Sequence, residues 1–165
     1  MILGMSTAAF TLLHVILSLI GIASGMIVLI GMLGARRLPA WTGLFLATTV
    51  LTSVTGFLFH SEKIGPPHLV GAISLVVLAI ALLALYLYHL AGPWRWIYVA
   101  TAVLALYLNV FVGVVQAFLK IPFFNALAPT QNEPPFAIAQ GVVLLIFVAL
   151  GIWAVRSFYP RTRPA

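Results

Sequence analysis

The chain has no cysteine, no aspartate and only two glutamates, Glu62 and Glu133, among its 165 residues. Without thiols there are no disulfides, thiolate metal sites, iron–sulfur clusters or thiol catalysis. Without aspartate, and with Ser61 and Ser157 outside any nucleophile-elbow context, hydrolytic chemistry has little to work with. A P-loop and a dinucleotide fingerprint are both missing, so nucleotide-driven work is not expected of this chain alone. Charge is scarce altogether. Charged residues make up 6% of the chain, against roughly a quarter in a soluble domain.

Apolar residues fill that space. They account for 64% of the sequence, and mean hydropathy is +1.21. A chain of this composition has lipid as its natural solvent. Five runs, about 9–33, 41–60, 69–90, 96–119 and 136–157, reach the ~20 residues that a membrane span needs. Lipid offers the backbone no hydrogen-bond partner, so these runs are expected to be helices. Ten-residue stretches of alternating polarity, the mark of a barrel strand, are absent. The fold expected is an all-α integral membrane protein, a five-helix transmembrane bundle forming one domain over 1–165. The N-terminal run has no basic leader and is too long for a signal-peptide core, so it reads as a retained first span.

The basic residues give an orientation. Arg36, Arg37, Arg95, Arg156, Arg161 and Arg163 fall on one side of a five-span chain, and Lys63 and Lys120 on the other with both glutamates. By the positive-inside rule the N-terminus is outside and the C-terminus cytoplasmic, in a bacterial-type inner membrane. Trp41, Trp94, Trp96 and Trp153 fall near the inner interface, where amphipathic rings anchor. Basic residues confined to span ends, with no basic patch interleaved with aromatics, argue against nucleic acid as a partner. The partners expected are the bilayer, a quinone or membrane complex, and a second copy of the chain.

The stretch "FHSEKIGPPH" gathers His60, Glu62, Lys63 and His68 into one short link. At 1.5 Å per residue, His14 lies about 33 Å before Arg36 and His60 about 35 Å after Arg37, so both belong near the outer boundary of a ~30 Å core. His68, Gln116, Gln140 and Glu133 fall at the same level. His14, Ser18, Gly21 and Gly25 line one side of span one, while Thr52, Gly56 and His60 line span two. Small and hydroxyl residues let membrane helices approach closely. These stripes are expected to pack together, with His14 facing His60. Pro66 and Pro67 would stiffen the turn that delivers His68.

Three histidines at one depth suit coordination. Paired imidazoles hold b-type haem, and three with Glu62 or Glu133 suit zinc or another divalent metal. The first function expected is therefore a small redox or metal-binding membrane protein using His14, His60 and His68, passing electrons between quinol and an outer acceptor. Against it, histidines in a polar link are ordinarily just amphipathic. His14 carries the case, since ionisable residues inside spans are rare and usually functional. The competing function is a non-catalytic accessory subunit, or a membrane protein that binds a lipid or small molecule. A proton-coupled transporter is third, because the membrane core lacks an ionisable relay. Asn109 is the lone mid-membrane amide, read as an interhelical hydrogen bond ahead of a quinone contact. The segment "FLKIPFFNAL" is amphipathic enough to lie along the outer interface, where Phe118, Phe123 and Phe124 would cover the polar layer. His89 stands apart at the inner end of span three.

Overall fold

A computed structural model describes residues 1–159; Arg161 and Arg163, counted above toward the cytoplasmic side, lie outside the described residues. The described residues form six helices: α1 (Thr7–Leu33), α2 (Pro39–Phe57), α3 (Pro66–Leu82, continued by a π-helical turn over Leu83–Leu87), α4 (Trp94–Lys120), α5 (Pro122–Leu127) and α6 (Pro134–Ser157). No β-strand occurs among the described residues. Five of the helices are long and apolar enough to cross a membrane, and α5 is a six-residue surface turn.

The helix starts correct one expectation. Pro39, Pro66 and Pro134 each open a helix, where the missing N–H is one of those left without a partner anyway and the fixed φ is already helical. Pro66 and Pro67 therefore belong to α3 and do not form a stiff turn ahead of it. α2 also stops early, at Phe57, leaving His60 in the link. Depth counted along a straight helix from Arg37 does not apply to His60, because the last residues before it are not helical.

Each spanning helix packs on the next: α1 on α2, α2 on α3, α3 on α4, α4 on α6 and α6 back on α1. A further α1–α4 contact crosses the ring and fills its middle. Glycine makes the closest of these approaches feasible. A Cβ at Gly25 would stand 2.6 Å from a methyl of Leu106 on α4 and 2.9 Å from the Phe45 ring on α2. At the arginine end, Arg95 Nη1 donates to the carbonyls of Val155 and Phe158, both at 2.8 Å, and its guanidinium lies 3.9 Å above the Tyr159 ring. Arg95 thus ties the end of α6 to α4, in addition to marking the interface. The turn after α3, with His89, Leu90 and Gly92 at positive φ, is pinned by Tyr88 stacking on Trp94 at 4.0 Å. His89 itself is exposed there.

The core changes character along the membrane normal. At the arginine end it is apolar, built from residues such as Leu29, Phe45, Leu78, Ala81, Val99, Ala102 and Leu106. In the other half the buried side chains are mainly hydroxyls: Thr48, Thr49, Ser53, Thr55 and Ser74, with Phe10 and Phe118 as apolar exceptions.

Candidate functional site: a hydroxyl-lined seam headed by His14

The α1–α2 contact is where those hydroxyls collect. Gly21 on α1 opens the space: a Cβ there would stand 3.0 Å from the Asn109 side-chain nitrogen, 3.2 Å from Thr49 Oγ1 and 3.4 Å from Thr48 Oγ1. Two turns away from the arginine end, His14 reaches α2 at Thr55 and Gly56. Its Nδ1 lies 2.8 Å from Thr55 Oγ1, and its ring packs edge-on against Phe59 at 5.2 Å between centroids. The small-residue stripes therefore do pack together, but His14 meets Thr55 and Phe59, and not His60.

Proton bookkeeping along the seam assigns the tautomer of His14. Thr55 Oγ1 donates its one proton to the Leu51 carbonyl at 2.7 Å, shared with that of Thr52 at 3.1 Å. With its proton placed there it accepts from His14, an assignment that puts the hydrogen on Nδ1 and leaves Nε2 its lone pair. The other hydroxyls do likewise. Thr48 donates to Leu44, Thr49 to Phe45, Ser53 to Thr49 and Ser18 to the His14 carbonyl, at 2.7–2.9 Å. Back-bonding of this kind consumes every one of these donors within its own helix and leaves the oxygen lone pairs facing the interface. Apart from the Thr52 hydroxyl and the Asn109 amide, the seam is rich in acceptors and poor in donors.

Three buried polar atoms in this half have no hydrogen-bond partner: Thr52 Oγ1 on α2, Asn109 Nδ2 on α4 and Gln140 Oε1 on α6. The Gln140 amide does donate, from Nε2 to the Phe111 carbonyl at 3.2 Å. Asn109 is packed among Gly21, Thr48 and Thr49 but does not form the interhelical hydrogen bond expected of it. In apolar surroundings such atoms are costly, about 1–3 kcal/mol each on mutational evidence. Thr52 lies one turn below Gly56 on the same face of α2, so it stands just beneath His14.

The remaining members of the expected histidine site are elsewhere. His68 Nδ1 accepts from the Gly65 N–H at 3.3 Å, the reaching-back half of a capping box at the start of α3, and the ring leans on Phe57. An imidazole used that way has its proton on Nε2 and no lone pair left for a metal. His60 and Glu62 are exposed in the α2–α3 link, where Ser61 Oγ donates to the Lys63 carbonyl. Glu133 sits at the N-cap of α6 and accepts from the Thr130 amide and hydroxyl and from the Asn132 amide. Slight desolvation opposes its ionisation, but those hydrogen bonds together outweigh it and hold the carboxyl below its usual value. Gln116 is exposed. Among the described residues no three His or Glu side chains converge as a metal would require. The expected cluster of His14, His60, His68, Glu62 and Glu133 is not assembled, because His68 and Glu133 serve helix starts and His60 leaves the helix.

Of the three phenylalanines expected to cover this layer, Phe118 is buried between Phe124 and Phe136, while Phe123 is 69% exposed. Nearby, Gln131 Nε2 donates to the Val115 carbonyl at 2.9 Å and ties the long link to α4. Sequence reasoning missed Thr55, although its i−4 and i−3 carbonyl partners are a local habit of threonine in helices. Comparison with protein-family models, curated proteins and solved structures gives no match.

Proposed function

We propose that this chain is an integral-membrane binding protein that receives a hydroxyl-bearing membrane amphiphile of the quinol class at the seam headed by His14. The observation that supports it is the seam's one-sided hydrogen bonding. Every hydroxyl proton named there except that of Thr52 is given to a carbonyl of its own helix, and His14 gives its Nδ1 proton to Thr55. What remains on offer is mainly acceptors, with His14 Nε2 at their head, alongside two unpartnered donors, the Thr52 hydroxyl and the Asn109 amide. A ligand that donates O–H groups from within the bilayer complements the acceptors, whereas a ligand made only of acceptors leaves them unused and meets only Thr52 and Asn109.

The haem, divalent-metal and electron-transfer readings are less well supported. A bis-histidine haem needs two free imidazole nitrogens at matched depth, and His68 has spent its own on Gly65. A proton-coupled transporter would need a path through the bundle, and the α1–α4 contact lies across it. We read the N-terminus as outside and the membrane as a bacterial-type inner membrane. In support, Arg36, Arg37, Arg95 and Arg156 sit at the helix ends opposite Lys63, Lys120, Glu62 and Glu133.

The test is equilibrium binding of a short-chain quinol and its oxidised quinone to the protein in lipid nanodiscs, with a visible absorption spectrum of the same sample. Saturable quinol binding, at least tenfold tighter than quinone and lost in His14→Ala, is the expected result. Equal, non-saturating partition of both forms would overturn it. A Soret band lost in His14→Ala would replace it with the haem reading.

A further inference from the structure

The arginine end of the bundle carries a second feature, remote from the seam. The α1–α2 link and the neighbouring ends of α3 and α4 enclose a cavity of about 40 Å³, walled by Arg36, Arg37, Thr42, Tyr86, Tyr98 and Phe158 among others. At ~10–15 Å³ for each water, it holds a few water-sized groups. Its lining is mixed: apolar residues such as Met32 and Leu85 stand beside two arginines, two tyrosines and a threonine. Tyr98 is only 2% exposed, so its phenol is set deep in that wall. The N-terminus of α2 opens at the same place with Leu38 as N-cap and no side-chain cap, which adds uncapped amides and a positive helix end. The chain's only carboxylate side chains, Glu62 and Glu133, lie at the opposite end. Neither arginine has an acidic side chain at its own end to pair with.

An apolar groove of about 480 Å³ runs along the α2–α3 contact, with Gly43 and Ala47 as its floor and Leu51 and Leu82 in its walls. It is open on its outer side, where a Cβ on Gly43 would meet nothing within 4 Å. Tyr86 borders both the groove and the cationic cavity. It belongs to the π-helical turn that ends α3, and such turns are frequent at functional sites. A cavity that carries two arginines therefore adjoins, at Tyr86, an apolar groove along the span.

We propose that this end of the molecule binds an anionic phospholipid, its phosphate at the arginine-lined mouth and one acyl chain in the α2–α3 groove. Basic pockets between spanning helices recognise anionic headgroups through just such a charge match. Arg36 and Arg37 supply the charge, Tyr86 and Tyr98 the neutral donors, and Gly43 with Ala47 the room for the chain. Arg95 is not part of it, since Nη1 is held by the end of α6.

The experiment is native mass spectrometry of the full chain in detergent. It compares phosphatidylglycerol, phosphatidylcholine with the same acyl chains, and inorganic phosphate. The wild type is expected to retain phosphatidylglycerol at least tenfold better than phosphatidylcholine. Arg36→Gln with Arg37→Gln should abolish that preference, and Arg36→Lys with Arg37→Lys should keep most of it. Gly43→Leu puts a side chain into the groove at a position whose Cβ meets nothing within 4 Å, and should weaken retention of both lipids about fivefold. A preference unchanged by the glutamine pair would overturn the proposal. So would retention untouched by Gly43→Leu, and that outcome together with binding of inorganic phosphate would mark a plain anion site. If the glutamine pair does not fold, the lysine pair and Gly43→Leu decide the matter by the same criteria.

Discussion

At the scale of single residues, two histidines of one chain are set to opposite tautomers by their neighbours. His14 donates from Nδ1 to a threonine whose own proton is spent, and His68 accepts at Nδ1 from a backbone amide. Nitrogen chemical shifts in ¹⁵N-histidine-labelled protein should therefore show His14 unprotonated at Nε2 and His68 unprotonated at Nδ1 at neutral pH. Thr55→Val removes the acceptor and leaves the His14 Nδ1–H without a partner in an apolar setting. The expected cost is about 1–3 kcal/mol of stability, with a loss of at least fivefold in quinol binding, read by thermal unfolding and by titration. Thr55→Ser should restore both. Glu133 gives a pH test outside the spans. Its folded-state pKa lies below the ordinary value of 4.5, so what it contributes is complete above that pH and is lost as pH falls through the lower folded value. Protection of the Thr130 and Asn132 amides, relative to the intrinsic exchange rate at each pH, should fall on acidification below pH 4.5 and should not change between pH 6 and 8.

At the scale of elements, close helix approach and helix ends carry the structure. The Gly25 position admits no side chain without moving Leu106 or Phe45, so Gly25→Leu should destabilise the α1–α2–α4 packing by several kcal/mol, beyond the 1–3 kcal/mol typical of overpacking. Gly43→Ala, by contrast, should be neutral in the same unfolding assay, because nothing stands near its Cβ. Arg95→Ala frees two carbonyls at the end of α6 and should speed amide exchange across residues 154–158. Most of this was legible in the sequence. Apolar runs gave the spans to within a few residues, and the 4-3-4 spacing of His14, Ser18, Gly21 and Gly25 gave the α1 face. The details that decided the site were not. A proline pair reads equally as a turn or as the first turn of a helix, and His60 differs from His68 only in where α2 happens to stop. The threonine partner of His14 comes from rotation of α2 about its axis, which no one-dimensional pattern specifies.

At the scale of the whole molecule, the bundle is divided along its length. An apolar core with a cationic mouth occupies the arginine half, and a hydroxyl-lined seam occupies the other. Charge follows the same division, which is why orientation could be inferred from so few ionisable groups. The absence of cysteine makes that orientation directly testable. A cysteine introduced at Glu62 should react with an impermeant maleimide in intact cells, and one at Arg36 should react only after permeabilisation. The reverse pattern would invert the topology without altering the seam. For the seam itself, the most direct measurement is the Nε2 chemical shift of His14 as a short-chain quinol is titrated into the protein in nanodiscs. Binding at the seam predicts a saturable shift of Nε2 as it accepts a hydrogen bond, with His68 unmoved and no response to the quinone. An Nε2 signal that stays in place while quinol partitions into the disc would contradict it.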